Sequence, residues 1–493
     1  MTGSCRQLGL ILLLIIAPNV AWALTSYANE FITPGFLLAR NWSDITKYAR
    51  NAIVQGATQI AAEGPWSESP GAIMSAFLPR LIMSTLVLLA VTSKAVMPPS
   101  NNTHDYLSWG PYFWPDCSNA GNTTELSPQQ TMVTIQTVWA TCEYVNRDGQ
   151  FNPDARMIND TGIFQAMSDS VFFNSMAWAI TGDNSYASNA ANEIKTWFID
   201  PATAMTPNLN YAQLKRGPGT QTGQHTGVLD LKCMTKLVSG VLMLRNGSAQ
   251  AWTNELDSGL NAWVTEYIGW LTTAQLALGE KAATNNHGSF YFNQLAALQI
   301  LIGDTAGAKK TIQEYFGGIY MNQISANGDQ PLETARTRPY HYRAYNLAAM
   351  IVNARLGQYV GFDAWHLPTS AGATIQEACN YAMTFNASSS NEDGYDAELY
   401  PNVAAVAAVY GDPDGKYAQW LAGRDNTFPS QPYFLWDQPL SNAGLSAPSS
   451  TSTAGASPSG VGSNTSSAWG LTNGRVGLSC LLGLVVFVAL ISF

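Results

Sequence analysis

Charged side chains are scarce in this chain: Asp, Glu, Lys and Arg make up 12% of its 493 residues. The little charge present leans acidic, with 24 Lys and Arg against 34 Asp and Glu. No basic stripe exists, which argues against nucleic acid as a partner. Cysteine is rare, six in all, and none is spaced Cys-x-x-Cys; the five histidines show no HExxH or HxH spacing. No metal site and no cofactor is therefore expected. Alternating apolar–polar runs are few, which argues against a sheet architecture. What the chain does have is apolar bulk, 46% of its residues, and that excludes a disordered polymer.

Both ends read as addresses. Residues 1–23 form a secretory signal, with Arg6 as the positive start, Leu8 to Ile16 as the apolar run and Ala21-Trp22-Ala23 as a cleavage site. Residues 24–440 follow as the mature domain. Residues 441–467 have the Ser/Gly/Thr-rich composition of a stalk. Residues 468–493 pass through a polar spacer ending at Arg475 into an apolar run from Val476 to Phe493, the pattern of a GPI-anchor signal with attachment near Ser463 or Asn464. A tail-anchored helix is the alternative for this tail. The expectation is a secreted, cell-surface protein whose membrane partner is reached through that anchor.

Cysteine usage agrees with an oxidising route. Cys5 and Cys480 fall in the removed segments, leaving Cys117, Cys142, Cys233 and Cys379. Cys117–Cys142 is favoured for its short loop, and that leaves Cys233–Cys379. Asn41, Asn101, Asn122, Asn159, Asn246, Asn386 and Asn464 each open an N-x-Ser/Thr sequon, so a glycoprotein is expected.

The middle of the chain carries helical periodicity. Leu256, Leu260, Trp263, Tyr267 and Trp270 recur at steps of four and three, as do Leu231, Met234, Val238 and Val241, and Tyr291, Leu295, Leu298 and Ile302. Three Gly-Asp pairs, Gly182-Asp183, Gly303-Asp304 and Gly411-Asp412, each close an apolar helix: glycine suits the left-handed position after the helix, and the aspartate caps the next one. Repeated helical hairpins predict an all-α fold, an (α/α) toroid with a cleft lined by its inner helices. The block at 68–90 does not fit. It is apolar yet lies in loop-like sequence, and Pro79 and Arg80 argue against a membrane span. A local core helix and a translated intron are the readings left for it.

Two clusters carry chemistry. Asn285-Asn286-His287-Gly288 opens the helix bearing Leu295 and Leu298, where the dipole favours an anion. Glu333-Thr334-Ala335-Arg336-Thr337-Arg338-Pro339-Tyr340-His341-Tyr342-Arg343 concentrates cations and phenols suited to an acidic ligand. Taken alone, the first is a turn or helix cap and the second a solvated face or an interface. Together they supply what β-elimination on a uronic acid needs: a neutralised carboxylate, a base for H5 and an acid for the leaving O4.

Asn-Asn-His opening a helix, followed by Glu-x-x-Arg and a Tyr/His cluster, resembles the alginate lyase domain family of polysaccharide lyases, whose fold is an α/α toroid. The segment Asp105-Tyr106-Leu107-Ser108-Trp109-Gly110-Pro111-Tyr112-Phe113-Trp114-Pro115-Asp116 is similar to that family's Ser-x-x-Pro-Tyr-aromatic-Trp-Pro loop. Arg147-Asp148-Gly149-Gln150-Phe151-Asn152-Pro153 is similar to its Arg-Asp-Gly-x-x-Asn-Pro, and Asn208-Leu209-Asn210-Tyr211-Ala212-Gln213 to a segment near its sugar subsites.

The resemblance implies that Asn286 and Arg336 neutralise the carboxylate, that His287 acts as base or positions the sugar, and that Tyr342 is the acid, or acid and base. It places Asn208, Tyr211, Gln213, His225, Arg338, Tyr340 and His341 among the groups that bind substrate. His225, in the glycine-rich stretch 217–227, is either a second cleft histidine or an exposed loop residue. In the bacterial alginate lyases the arginine and the tyrosine stand one residue further apart. Arg338 therefore rivals Arg336, and Tyr340 rivals Tyr342; the lid-loop lysine of those enzymes has no counterpart that can be located.

The implied activity is a lyase cutting an acidic polysaccharide of alginate or glucuronan type. A glycoside hydrolase, with Glu333 and Glu398 as its two carboxyl groups, is the alternative enzyme. A non-catalytic glycan-binding protein is the alternative outside catalysis.

Overall fold

The computed structural model describes residues 29–64, 97–120, 142–158, 160–219 and 221–437. The signal sequence, the 68–90 block, the sequons at Asn122, Asn159 and Asn464, the stalk and the apolar tail lie outside the described residues.

Helices of two kinds alternate along the chain. Asp160–Thr181, Met234–Asn246, Asn286–Leu301, Pro339–Tyr359 and Tyr400–Tyr410 are buried around most of their circumference. Each is followed by a helix buried along one stripe: Asn184–Phe198, Asn254–Thr273, Thr305–Gly317, Ile375–Ala382 and Lys416–Ala422. A helix apolar all round has no face to give to water, so it takes the inner position and its amphipathic partner covers it. The inner helices pack side by side in chain order, from 160–181 through 234–246, 286–301 and 339–359 to 400–410. The fold is an α/α toroid with one main core running through the helix pairs.

The Gly-Asp pairs do what their chemistry implies. Gly182, Gly303 and Gly411 take φ of +79°, +84° and +90° at the ends of inner helices. Asp183 accepts from the Ser185 N–H and Asp304 from the Gly307 N–H, each at 2.9 Å. Asp412 reaches further, accepting from the N–H groups of Tyr417 (3.0 Å) and Ala418 (2.9 Å).

A buried polar seam registers two of the inner helices. The Ser289 hydroxyl donates to Asn346 Oδ1 (2.8 Å), and Asn293 Nδ2 donates to the Ala349 carbonyl (3.5 Å). The near-constant offset between partners means that Asn286–Leu301 and Pro339–Tyr359 run parallel, with their N-termini at one end of the toroid. Gln323 Nε2 adds a bond to Ser289 Oγ (2.9 Å), and Asn346 Nδ2 one to Gln330 Oε1 (2.9 Å). Buried amides satisfied this way fix one register, because slipping either helix would strand their donors.

Among the described residues, four short strands depart from the helical reading. β1 (Leu107–Trp109) pairs in parallel with β4 (Tyr211–Leu214), and β2 (Phe113–Asp116) pairs antiparallel with β3 (Glu143–Asn146). Three or four residues are too few for a period of two to stand out in the sequence. Cys117 and Cys142, just after β2 and just before β3, form the expected disulfide, with Cα atoms 4.6 Å apart.

The second expected bridge does not form: Cys233 and Cys379 are both fully buried thiols in the main core and are not joined. An even count suggests a pair, but a bridge also requires Cα atoms within about 7 Å and facing Cβ vectors. Each of these cysteines instead packs as a small hydrophobe. Burial pushes the Cys379 thiol up to about 12.

The two ends of the described chain meet at one side chain. The Arg355 guanidinium, near the C-terminal end of the Pro339–Tyr359 helix, donates to Glu30 Oε1 (2.7 Å) and to Asp437 Oδ1 (2.6 Å).

Candidate active site

The helix that begins at Asn286 lacks a side-chain cap of its own: Asn285, in extended geometry, makes no capping bond. Glu333 takes that role from a distant segment. Its Oε1 accepts from the Asn286 N–H (2.6 Å) and its Oε2 from Asn286 Nδ2 (2.5 Å). An anion at a helix N-terminus satisfies an otherwise orphan donor and complements the dipole. Burial raises the Glu333 carboxyl pKa, and the two bonds from Asn286 pull it back. The same contact ties the first sequence cluster to the second. Gly288 is required here, because a Cβ at that position would lie 2.0 Å from the Ala283 carbonyl oxygen.

The second cluster is organised by two prolines. Pro331 and Pro339 each stand in the first turn of a helix, Pro331–Thr334 and Pro339–Tyr359. Arg336 and Arg338 lie on the connection between them, while Tyr340 to Arg343 occupy the first turn of the second helix. Successive residues there turn by about 100°, so Tyr340 and Tyr342 point in nearly opposite directions. The Tyr340 hydroxyl donates to the Asp396 carbonyl (3.1 Å). The Tyr342 oxygen instead accepts from Arg336 Nη2 (3.2 Å), and the Arg336 guanidinium lies over the Tyr342 ring at 4.2 Å. A charge developing on that oxygen during proton transfer faces a fixed cation.

Arg336 and Arg338 have different partners. Arg336 is held by Asp148, Nη2 to Oδ1 at 3.0 Å. Arg338 donates to the hydroxyls of Tyr395 (2.7 Å) and Tyr112 (2.8 Å), and the Tyr112 and Tyr342 hydroxyls lie 3.4 Å apart. Burial, with Tyr342 adding to it and Arg338 opposing, pushes the Tyr112 phenol upward, so it keeps its proton. Both guanidinium groups face the Tyr342 ring, Arg336 at 4.2 Å and Arg338 at 5.7 Å; Arg336 is the nearer and the one bonded to the Tyr342 oxygen at 3.2 Å.

Glu280, fully buried near the end of the short Gln275–Lys281 helix, joins two histidines. Its Oε1 is 2.6 Å from His287 Nδ1 and its Oε2 is 2.7 Å from His225 Nδ1. The rings lie 6.3 Å apart between centroids, inclined at 58°. The bond to Glu280 raises the pKa of His225, outweighing its partial burial. Burial alone would raise Glu280, but His287 and His225 together hold its carboxyl below the usual range.

The remaining predicted binding residues have partners of their own. Asn208 Oδ1 accepts from the Asn210 N–H (3.1 Å) in a local turn. Tyr211, on β4, packs beside Leu107 and Trp109. Both ends of the Gln213 amide are engaged, Nε2 with Asp230 Oδ1 (2.8 Å) and Oε1 with the Thr226 hydroxyl (2.8 Å). His341 is buried, with Nδ1 2.7 Å from Glu398 Oε2. The structure thus draws Asn286, His287, His225, Arg336, Arg338 and Tyr342 toward the N-terminal ends of the inner helices. The side chains of Tyr340, His341 and Gln213 are engaged in supporting contacts instead.

Glu280, Asp148, Tyr112 and Tyr395 were missed as site residues. Tyr112 and Asp148 lie in segments whose resemblance to the alginate lyase family is visible in the sequence. Glu280 and Tyr395 carry no local signal.

The family model described as "Alginate lyase" matches residues 90–392. No curated protein sequence matches the chain. Among solved structures, an alginate lyase from Bacteroides ovatus is similar over 83% of this chain and 99% of its own, at 24% identity and a TM-score of 0.67. An alginate lyase A1-III variant complexed with a tetrasaccharide is similar over 59% of this chain and 80% of its own, at 13% identity and a TM-score of 0.40. Alginate lyase A1-III from Sphingomonas species A1 is similar over the same shares, at 13% identity and a TM-score of 0.37.

Proposed function

The chain belongs to the alginate lyase family and is a polysaccharide lyase, and from that premise we propose that it cuts a uronate-containing polysaccharide by β-elimination at the Arg336–Tyr342 site. The observation that carries this reading is the Arg336 guanidinium bonded to the Tyr342 hydroxyl at 3.2 Å, beside the helix that opens with Asn286 and His287.

In the proposed reaction Asn286 and Arg336 bind the carboxylate of the sugar that loses H5. Charge that builds on this carboxylate as the C5–H5 bond breaks is thereby stabilised. The electron pair of C5–H5 becomes the C4=C5 double bond, O4 leaves, and a proton is delivered to it. On mannuronate or glucuronate H5 and O4 lie on one face, so Tyr342 serves as base and then acid. On guluronate they lie on opposite faces, and His287 paired with Tyr342 fits that geometry.

The hydrolase reading loses its support. Both oxygens of Glu333 are committed to Asn286, and Glu398 is bonded to the buried His341. Neither carboxyl group is left to act as acid or nucleophile across a cleft.

Incubation with glucuronan, polymannuronate and polyguluronate, followed by ultraviolet absorbance, tests the proposal. A lyase leaves a conjugated C4=C5 uronate on each new end. New reducing ends without that absorbance would reject it.

For location we propose secretion and a GPI anchor at the cell surface. The Cys117–Cys142 disulfide supports an oxidising route, and the sequons at Asn41, Asn101, Asn246 and Asn386 stand on exposed positions. Phosphatidylinositol-specific phospholipase C should release the protein from intact cells. Retention after treatment, alongside release of a known anchored marker, would refute the anchor.

A further inference from the structure

Glu280 lies outside every motif in the sequence, yet it is the junction of two histidines from separate elements. His225 opens the 3-10 helix His225–Leu231, and His287 stands in the first turn of Asn286–Leu301. One carboxylate, with no exposed surface, gives a separate oxygen to each Nδ1. The His225 side chain is 51% exposed and that of His287 is 18% exposed. The buried edge of each ring is therefore the one bonded to Glu280, and the edge carrying Nε2 is the one left for the cleft.

The chemistry of the carboxylate then dictates the hydrogens. An ionised carboxylate only accepts, so both Nδ1 atoms must donate to it. An unprotonated ring in this arrangement has its hydrogen on Nδ1 and a lone pair on Nε2. A protonated ring donates through Nε2–H. Which nitrogen carries the hydrogen is thus settled by the bond on the other side of the ring. The nearby charged groups do not offer either Nδ1 a competing acceptor. Glu333 is committed to Asn286, Lys281 is paired with Glu314 at 2.7 Å, Asp230 accepts from Gln213 and Ser108, and Arg336 is a donor only.

We propose that Glu280 is a positioning residue that locks His225 and His287 into one unit, both in the Nδ1–H form with Nε2 turned to the cleft. The unit rests on the lyase reading for its purpose. It presents one Nε2 lone pair and, with a single proton added, one Nε2–H donor to the sugar at the cleavage point. His225 is the ring that takes this proton, since it is the more hydrated of the two and is bonded to the same anion.

Glu280→Gln tests the proposal, because the amide is isosteric but has one acceptor and one donor. It can accept from one Nδ1–H and must donate to the other Nδ1, which forces that second ring into the Nε2–H tautomer. Long-range 1H–15N spectra of the full chain, with each ring assigned by its own His→Asn variant, should show two Nδ1–H rings in the wild type. In Glu280→Gln one ring should have switched. On a uronan substrate kcat should fall at least ~10-fold in Glu280→Gln, and Glu280→Asp, which keeps the charge, should recover part of it. Wild-type rings in the Nε2–H form, or unchanged tautomers in Glu280→Gln, would overturn the proposal. So would the expected tautomer switch with unchanged kcat. Inactivity of the wild type on every uronan would fail the lyase reading, while the spectra would still decide the tautomers.

Discussion

Tyr342→Phe should lose at least ~10²-fold in kcat, the lower range for a positioned acid or base, while KM changes little. Only one hydroxyl is removed. The ring stays 6% exposed in its packing, with the Arg336 guanidinium over its face, so the fold should be retained. Tyr340→Phe provides the contrast. Its hydroxyl is spent on the Asp396 carbonyl, on the other side of the helix, so that variant should keep most of its turnover. Initial rates from ultraviolet absorbance, with circular dichroism as the folding control, read both variants. Near-normal turnover in Tyr342→Phe together with collapse in Tyr340→Phe would reverse the roles assigned to the two tyrosines. Near-normal turnover in both would leave His287 as the group that moves the proton.

The largest effect on stability should come from Arg355→Met. Arg355, Glu30 and Asp437 are all buried, and the single cation serves two carboxylates. Removing it leaves two buried acids without their shared cation, and breaking a buried pair in this way costs about 3–5 kcal/mol. Urea denaturation should show the loss as a lower midpoint at unchanged slope.

The same group sets a pH dependence. Burial pushes Asp437 from 3.8 to about 7, with Arg355 opposing and Glu30 adding to the rise; burial raises Glu30 as well. A raised carboxyl pKa means that the folded chain holds a proton that the unfolded chain releases. The contribution is full below about pH 4 and is lost as pH rises through about 7. The Asp437 contribution to wild-type stability should therefore decline between about pH 4 and pH 7, and Asp437→Asn should flatten that slope. A midpoint unmoved by Arg355→Met would show that this cluster does not hold the ends together.

Signals confined to one helix could be read from the sequence. The periodicities at 256–270 and 291–302 and the three Gly-Asp pairs each depend on neighbours a turn away, and each corresponds to an observed helix or cap. The pairing of Arg336 with Tyr342 was less accessible. Spacing alone leaves Arg338 and Tyr340 as rivals, because the direction in which a tyrosine points depends on where its helix starts. Pro339 in the first turn sets that phase. The double role of Glu333, as cap and as link between clusters, needed the packing of 286–301 against 339–359. Glu280 was silent because its meaning exists only once His225 and His287 have come together. The Cys233–Cys379 expectation failed for a related reason: counting residues carries no distance. The strands β1 to β4 were too short to declare themselves.

The Pro339–Tyr359 helix holds Tyr342 near one end and Arg355 near the other. At about 1.5 Å per residue these positions are some 20 Å apart along its axis. Since Asp437 is bonded to Arg355, the polypeptide leaves the described domain at the end of the toroid opposite the cleft. A tether continuing from that point would grip the domain by its back.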